Sequence, residues 1–140
     1  MQGFFQRFLT IYRPLISKLN ELLGEYDLSY SLWQVIIYLK TNGPSSLVDI
    51  SSHYNIEKPS VTRRVHTLEE KLIVKEIVTK NRREKIIQLT ELGEEIYQLC
   101  REKITKLEYS VMKDIPFEEQ VNIFEVLPKI LENITKEKEK

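Results

Sequence analysis

The 140-residue sequence contains one cysteine, four glycines and two histidines, and it lacks any long hydrophobic run. The single cysteine, Cys100, excludes an intrachain disulfide framework and is typical of a reducing compartment. No apolar stretch approaches the roughly 18 residues that a membrane span requires, and the amino-terminal residues show no small-residue cleavage site. We therefore expect a cytoplasmic protein that does not span a membrane.

Catalytic and metal-binding motifs are equally scarce. The four glycines leave little scope for a glycine-rich nucleotide loop, and neither a P-loop nor a nucleophile elbow occurs. Acidic pairs such as Glu69-Glu70 are explained as solvated helix faces, and His53 and His66 have no cysteine near them that would indicate zinc. We expect no enzyme activity, no metal site and no cofactor, although a pocket of clustered carboxylates would not be visible in a sequence.

The charged residues are unevenly distributed. The whole chain is neutral, with 21 basic and 21 acidic residues, but residues 58–85 hold nine basic and four acidic residues, a local net charge of +5. The rest of the chain therefore carries −5. A basic block on an acidic body is expected of a surface that contacts nucleic-acid phosphates, and a solvated charged face is the alternative interpretation.

Hydrophobic residues recur at steps of three and four through most of the chain, which predicts a mainly helical fold. The first predicted helix runs from Phe4 to Leu23, and Pro14 within it is expected to kink or split the helix. Ser29 has the position of an N-cap for a second helix. The Asn-Gly-Pro sequence at 42–44 ends that helix.

The next segment has the pattern of a helix-turn-helix. Ser46 and Asp49 have the spacing of a capping box for a short third helix, and Pro59 suits the first turn of a fourth. The fourth helix is expected to bury one stripe of residues, spaced i, i+4, i+7 and i+11, which are Val61, Val65, Leu68 and Leu72. A helix-turn-helix places its second helix in the major groove of DNA.

Two segments rich in β-branched residues, 73–79 and 84–89, flank a polar turn at residues 80–83 and predict a basic hairpin, or wing. Thr90 is expected to cap a fifth helix, and Pro116 separates it from a sixth. The predicted fold class is mainly α with a small β-hairpin wing, a winged helix-turn-helix within a single domain that spans residues 1–140.

The candidate DNA-binding residues are the polar side chains left outside the buried stripe and the arginines of the hairpin turn. Serine and threonine hydroxyls bind base edges or phosphate, an arginine binds guanine bidentately in the major groove, and an arginine at a hairpin tip reaches the minor groove. These candidates are Lys58, Ser60, Thr62, Arg63, His66, Thr67, Arg82 and Arg83. The alternative is that they are merely exposed polar residues.

Residues 49–63, DISSHYNIEKPSVTR, resemble the E-L-A-x-x-L-x-L-S-x-P-S/T-V-S-R stretch of the MarR (multiple antibiotic resistance regulator) family. Residues 68–71, LEEK, resemble the helix end L-E-x-K/R of that family. Residues 81–83, NRR, and 86–93, IIQLTELG, resemble its wing and the L-T-x-x-G start of its next helix.

The resemblance implies a homodimer built from amino- and carboxy-terminal dimerisation helices, here about residues 1–24 and 91–135, around a DNA-binding lobe of about residues 29–90. It implies binding to a palindromic operator in double-stranded DNA and, in many members, release by a small-molecule effector. By position, Ser60, Thr62 and Arg63 match the recognition-helix contacts and Arg82 matches the wing arginine. We expect a sequence-specific transcription regulator that acts as a repressor.

The sequence departs from the family pattern at three positions. Lys80 stands where the family usually has a wing aspartate that braces the arginine. Leu72 replaces a helix-ending glycine, so the turn into the wing must use another conformation or carry strain. Glu57 replaces the common serine N-cap and is a weaker cap.

Other interpretations remain open. A winged helix also serves as a protein-interaction module, in which case the basic block would be incidental. Cys100 is interpreted as a small core residue, with a redox sensor as the alternative. The aromatic residues of the first two helices are equally compatible with an effector cavity and with an ordinary core, and they include Tyr12, Tyr30, Trp33 and Tyr38.

Overall fold

The computed structural model describes residues 1–80 and 83–137. Along this part of the chain the elements are α1 (Phe4–Gly24), α2 (Tyr30–Asn42), β1 (Ser45–Ser46), α3 (Leu47–Tyr54), α4 (Lys58–Glu70), β2 (Val74–Ile77), β3 (Ile86–Leu89), α5 (Glu91–Val111) and α6 (Phe117–Glu137). The predicted class, mainly α with a small wing, is confirmed. Among the described helices, none combines the length and the apolar character that crossing a membrane requires.

The chain forms two compact units, Met1–Ile104 and Thr105–Lys140. The first unit holds the hydrophobic core, to which α2, α3, α4, the wing strands and the first part of α5 contribute. Its fully buried side chains include Ile36, Ile50, Val61, Ile87 and Cys100. The second unit contains the end of α5 and all of α6.

The predicted helix starts are confirmed in atomic detail. Ser29 Oγ accepts a hydrogen bond from Leu32 N at 3.3 Å and caps α2. Ser46 Oγ accepts from Asp49 N at 3.1 Å, while Asp49 Oδ2 accepts from Ser46 N at 3.2 Å, so the capping box of α3 is complete. These bonds satisfy amide groups that a helix start otherwise leaves unpaired.

Pro14 does not split the first helix, because α1 continues from Phe4 to Gly24 as one element. The wing strands, residues 74–77 and 86–89, are shorter than the predicted segments. The sheet also has a third strand that was not predicted, since Ser45 and Ser46 pair with β3 and give the antiparallel order β1-β3-β2.

The prediction that Leu72 belongs to the buried stripe of α4 is wrong. The helix ends at Glu70, and Leu72 is 68% exposed with a left-handed φ of 64°. Leu72 N donates to Glu69 O and Ile73 N to Leu68 O, both at 3.0 Å. This is the hydrogen-bond pattern of a Schellman motif, whose left-handed position glycine normally occupies. The chain reverses there, and Ile73 takes the inward place.

Helix α5 begins in direct contact with the end of this turn. Thr90 N donates to Ile73 O at 3.0 Å, and Thr90 Oγ1 donates to Leu72 O at 2.6 Å. Thr90 Oγ1 also accepts from Gly93 N at 3.0 Å, which confirms Thr90 as the helix cap. A Cβ atom on Gly93 would lie 2.2 Å from Ile73 O, so only glycine fits this close approach of backbones.

We predict that Gly93→Ala lowers the free energy of unfolding by about 2 kcal/mol or more, because the backbone of Ile73 must move to admit the added methyl group. Urea unfolding followed by circular dichroism measures this change. The matched control is Gly24→Ala, where the added Cβ meets nothing within 4 Å beyond its chain neighbours and its own helix backbone. It should be neutral or stabilising by up to about 1 kcal/mol, and equal stability of the two variants would contradict the close approach.

We predict that Leu72→Gly raises the free energy of unfolding by about 1 kcal/mol, because glycine adopts the left-handed conformation without the Cβ clash that leucine carries. The control is Val78→Gly, which also removes an exposed apolar side chain but has no positive φ. That control should be neutral or destabilising. A loss of stability in Leu72→Gly would show that the leucine carries no strain.

Candidate nucleic-acid interface

A tight turn joins α3 to α4. Asn55 ends α3 in the left-handed conformation, with φ 53°. Ile56 N donates to Ser51 O at 3.0 Å, and Ser51 Oγ donates to Ile56 O at 2.6 Å. Pro59 lies in the first turn of α4, as predicted. The turn is therefore fixed by hydrogen bonds on both sides, and the direction of α4 follows from α3.

Three aliphatic side chains anchor α4 in the core, namely Val61, Val65 and Leu68, each at most 1% exposed. Because successive residues of a helix are about 100° apart, Arg63 lies opposite this stripe. Four predicted DNA-binding residues of α4 are exposed, and they are Lys58, Thr62, Arg63 and His66. Ser60 and Thr67 are half-buried at the edges of the same surface.

Hydrogen bonds within α4 determine which polar atoms remain available. Thr62 Oγ1 donates to Lys58 O at 3.0 Å, and Thr67 Oγ1 donates to Arg63 O at 3.1 Å. Both threonine hydroxyls therefore present only acceptor lone pairs to a ligand. Arg63 Nη2 donates to Ser60 Oγ at 3.1 Å. This bond orients the guanidinium group and leaves its other N–H donors and the serine proton for a ligand.

Two acidic residues, Glu57 and Glu70, are also exposed on this surface. His66 Nε2 pairs with Glu70 Oε1 at 2.9 Å, one helical turn away. Glu57 is exposed at the start of α4 and makes no side-chain capping bond, so the weak cap expected from its replacement of serine is confirmed. Negative charge at these two positions opposes phosphate binding locally.

The wing is tied to the end of α4 by Lys85 Nζ, which binds Glu69 Oε1 at 2.8 Å. Lys71 at the same end pairs with Asp27. The charged groups of these two lysines and of Arg64, which donates to Gln34, already have partners within the protein. The net charge of residues 58–85 therefore overstates what this surface offers to a ligand. Arg82 lies outside the described residues, and Arg83 is exposed in the hairpin turn.

Cys100 and Trp33, for which a redox sensor and an effector cavity were the alternative interpretations, both lie in the core. Cys100 is fully buried, and burial raises the pKa of its thiol to about 11, which agrees with a core residue. Trp33 is also a core residue, because it is 4% exposed and stacks on Tyr97 with ring centroids 5.5 Å apart. Among the residues that the structure describes, no three His, Cys, Asp or Glu side chains come together as metal ligands.

A short helix, a fixed turn, a second helix with one anchored and one polar face, and a hairpin define a winged helix-turn-helix. The family model "MarR family" matches residues 28–85. An uncharacterized HTH-type transcriptional regulator of Staphylococcus aureus strain Mu50 is 30% identical over 136 residues, 93% of each chain. The HTH-type regulator YwoH of Bacillus subtilis is 34% identical over 108 residues, 77% of this chain and 79% of YwoH. The chain belongs to the MarR family of DNA-binding transcriptional regulators.

Solved structures agree with this assignment. The Staphylococcus aureus MarR in complex with salicylate and kanamycin is 27% identical and superposes with a TM-score of 0.88, over 97% of this chain and 93% of that one. A mutant Escherichia coli MarR in complex with operator DNA is 18% identical and superposes with a TM-score of 0.82, over 93% and 94%. At that identity the second match shows the shared fold alone.

We predict that the Cys100 thiol is inert in the folded protein. At pH 8 a thiol with the raised pKa of about 11 instead of 9.0 has a thiolate fraction about a hundredfold lower than an exposed cysteine. Ellman's reagent should therefore react at least about a hundredfold more slowly with the native protein than with the protein in urea. Equal rates in the two conditions would contradict the burial of Cys100.

Proposed function

We propose that the chain is a homodimeric transcriptional repressor that reads a palindromic operator with one α4 from each copy. The observation that carries the proposal is the outer surface of α4, where Arg63 lies opposite the anchored stripe and its guanidinium group is oriented by a hydrogen bond to Ser60. Arg63 then reads a guanine in the major groove, and Lys58 and Arg83 contact phosphates. Thr62, His66 and Thr67 line the same surface, and Arg82 is assigned to the minor groove.

The exposed apolar side chains of α1 and α6 support a homodimer. In the first unit, α1 exposes Phe5, Leu9 and Ile11 to 59–67%. In the second unit, α6 exposes Phe117, Phe124 and Leu131 to 63–79%. On each helix, large apolar residues exposed in this number mark a surface that another chain covers. Two copies joined through these helices would present two copies of α4 related by twofold symmetry, which is why we propose a palindromic operator.

We further propose that a small molecule releases the repressor from DNA, and that the protein acts in the cytoplasm. Support for an effector comes from the related Staphylococcus aureus MarR, which was solved with salicylate and kanamycin. The duplex fixes the distance between half-sites at about 34 Å per turn. A ligand that changes the separation of the two copies of α4 would therefore lower affinity for the operator without touching the DNA surface.

The direct experiment selects fragments of the source genome that bind the purified protein. A shared palindrome among the recovered duplexes would establish sequence-specific binding and a symmetric dimer together. Binding must weaken steeply as salt rises, because phosphate contacts release counterions. If the protein recovers no common sequence and its binding to DNA does not depend on salt, the winged helix serves protein interaction instead.

We predict that Arg63→Ala weakens binding to the selected operator by about 1–3 kcal/mol and relaxes preference at one base position. Fluorescence anisotropy with the operator and with single-base variants measures both effects. The control is Lys113→Ala, which removes one positive charge from the segment between α5 and α6 and should preserve base preference. Unchanged affinity in Arg63→Ala would remove this residue from the reading surface.

A further inference from the structure

Two adjacent arginines of α4 have different surroundings. Arg63 is exposed opposite the buried stripe, whereas Arg64 is half-buried beside it. Arg64 Nη1 donates to Gln34 Oε1 at 2.9 Å and makes a longer contact of 3.4 Å with Ser31 O. Both acceptors belong to α2, so this guanidinium group faces another helix of the protein rather than solvent.

Gln34 is itself held in place from two sides. Its Nε2 atom donates to Tyr30 Oη at 3.3 Å, and its main-chain oxygen accepts from Tyr54 Oη of α3 at 3.0 Å. Tyr30 N in turn donates to Asn20 Oδ1 of α1 at 2.8 Å. Burial is the main cause that raises the pKa of Tyr54 to about 12. The hydroxyl therefore keeps the proton that it donates to Gln34 O at neutral and mildly alkaline pH. One polar network thus joins α1, α2, α3 and α4.

Inside the core, α4 is held by aliphatic side chains, whose contacts have no preferred direction. The ion pairs of Glu69 and Lys71 lie at the carboxy-terminal end of the helix. Val61, Val65 and Leu68 hold the helix against the core, but apolar contacts tolerate small rotations that a hydrogen bond does not. A rotation of about 20° moves an atom about 6 Å from the helix axis by about 2 Å. A displacement of that size would take a side chain out of hydrogen-bond range of a base edge.

We propose that Arg64 and Gln34 form a tether that fixes the rotation of α4 and so aims Arg63 at the base edges. Arg64 is a positioning residue for operator recognition and makes no phosphate contact. This inference rests on the proposed DNA-reading function of α4. It also explains why the basic charge of Arg64 faces α2 while its neighbour Arg63 stays exposed.

The test compares Gln34→Met, Arg64→Met and the double variant on a genome-selected operator and on a scrambled duplex of equal length. Gln34→Met is decisive because it breaks the tether without changing charge. We expect each single variant to lower operator affinity about three- to tenfold, and the double variant to lose no more than either alone. Affinity for the scrambled duplex and the salt slope should not change.

Two further variants separate positioning from a general structural role. Gln98→Met makes the same substitution at an exposed position of α5 and should bind as the original protein does. Gln34→Glu keeps an acceptor for Arg64 and should show the same ratio of operator affinity to scrambled-duplex affinity as the unaltered protein. The ratio is used because the added negative charge weakens binding to both duplexes and its effect largely cancels. Failure of the glutamate variant to restore that ratio would contradict the tether.

A phosphate contact by Arg64 would give a different pattern and overturn the proposal. In that case Arg64→Met lowers affinity for both duplexes and reduces the salt slope by about one, while Gln34→Met binds normally. If the unaltered protein binds no duplex, the proposed function fails. The tether is then tested separately, by measurements on the protein without DNA. Amide hydrogen exchange along α4 should then accelerate equally in Gln34→Met and Arg64→Met, and unchanged exchange in both would refute the tether.

Discussion

The burial of three aliphatic side chains in α4 is the constraint on which the rest of the structure depends. Val61, Val65 and Leu68 are at most 1% exposed, and burying each contributes about 1.5–3 kcal/mol. Their spacing leaves the opposite surface of the same helix to Arg63 and its neighbours. The same spacing that buries one face of α4 therefore leaves the other face polar, and the polar network around Gln34 adds the direction that apolar packing lacks.

The end of α4 transmits that constraint to the rest of the first unit. A Schellman motif reverses the chain at Leu72 and places Ile73 in the core. The carbonyl of Ile73 then accepts from Thr90, and Gly93 packs against the same carbonyl. The start of α5 is therefore hydrogen-bonded to the turn that ends α4. Within this unit, a shift at the start of α5 is expected to move the end of α4 as well.

Features set by neighbouring residues were predictable from the sequence, and features set by distant ones were not. The capping box of Ser46 and Asp49 and the turn at Pro59 depend on residues within one helical turn. Leu72 was predicted to be buried because hydrophobic periodicity shows which residues share a helix face. It does not show where the helix ends, which is at Glu70. Strand β1 has two residues and no alternation to detect. The contact of Arg64 with Gln34 joins residues 30 positions apart, so no local pattern indicates it.

The site follows this division in part. Periodicity placed the polar residues of α4 on its surface, and the pairing of Lys85 with Glu69, 16 positions apart, has no local pattern that would indicate it. The pairing of His66 with Glu70 is an exception, because its i,i+4 spacing is visible in the sequence and was not used. The central claim, that α4 enters the major groove, is tested most directly by methylation interference with dimethyl sulfate on a selected operator. Methylated guanine N7, which lies in the major groove, should block binding in two half-sites about 10 base pairs, or a multiple of that, apart. Tolerance of every methylated guanine, with interference confined to adenine N3 in the minor groove, would contradict the account.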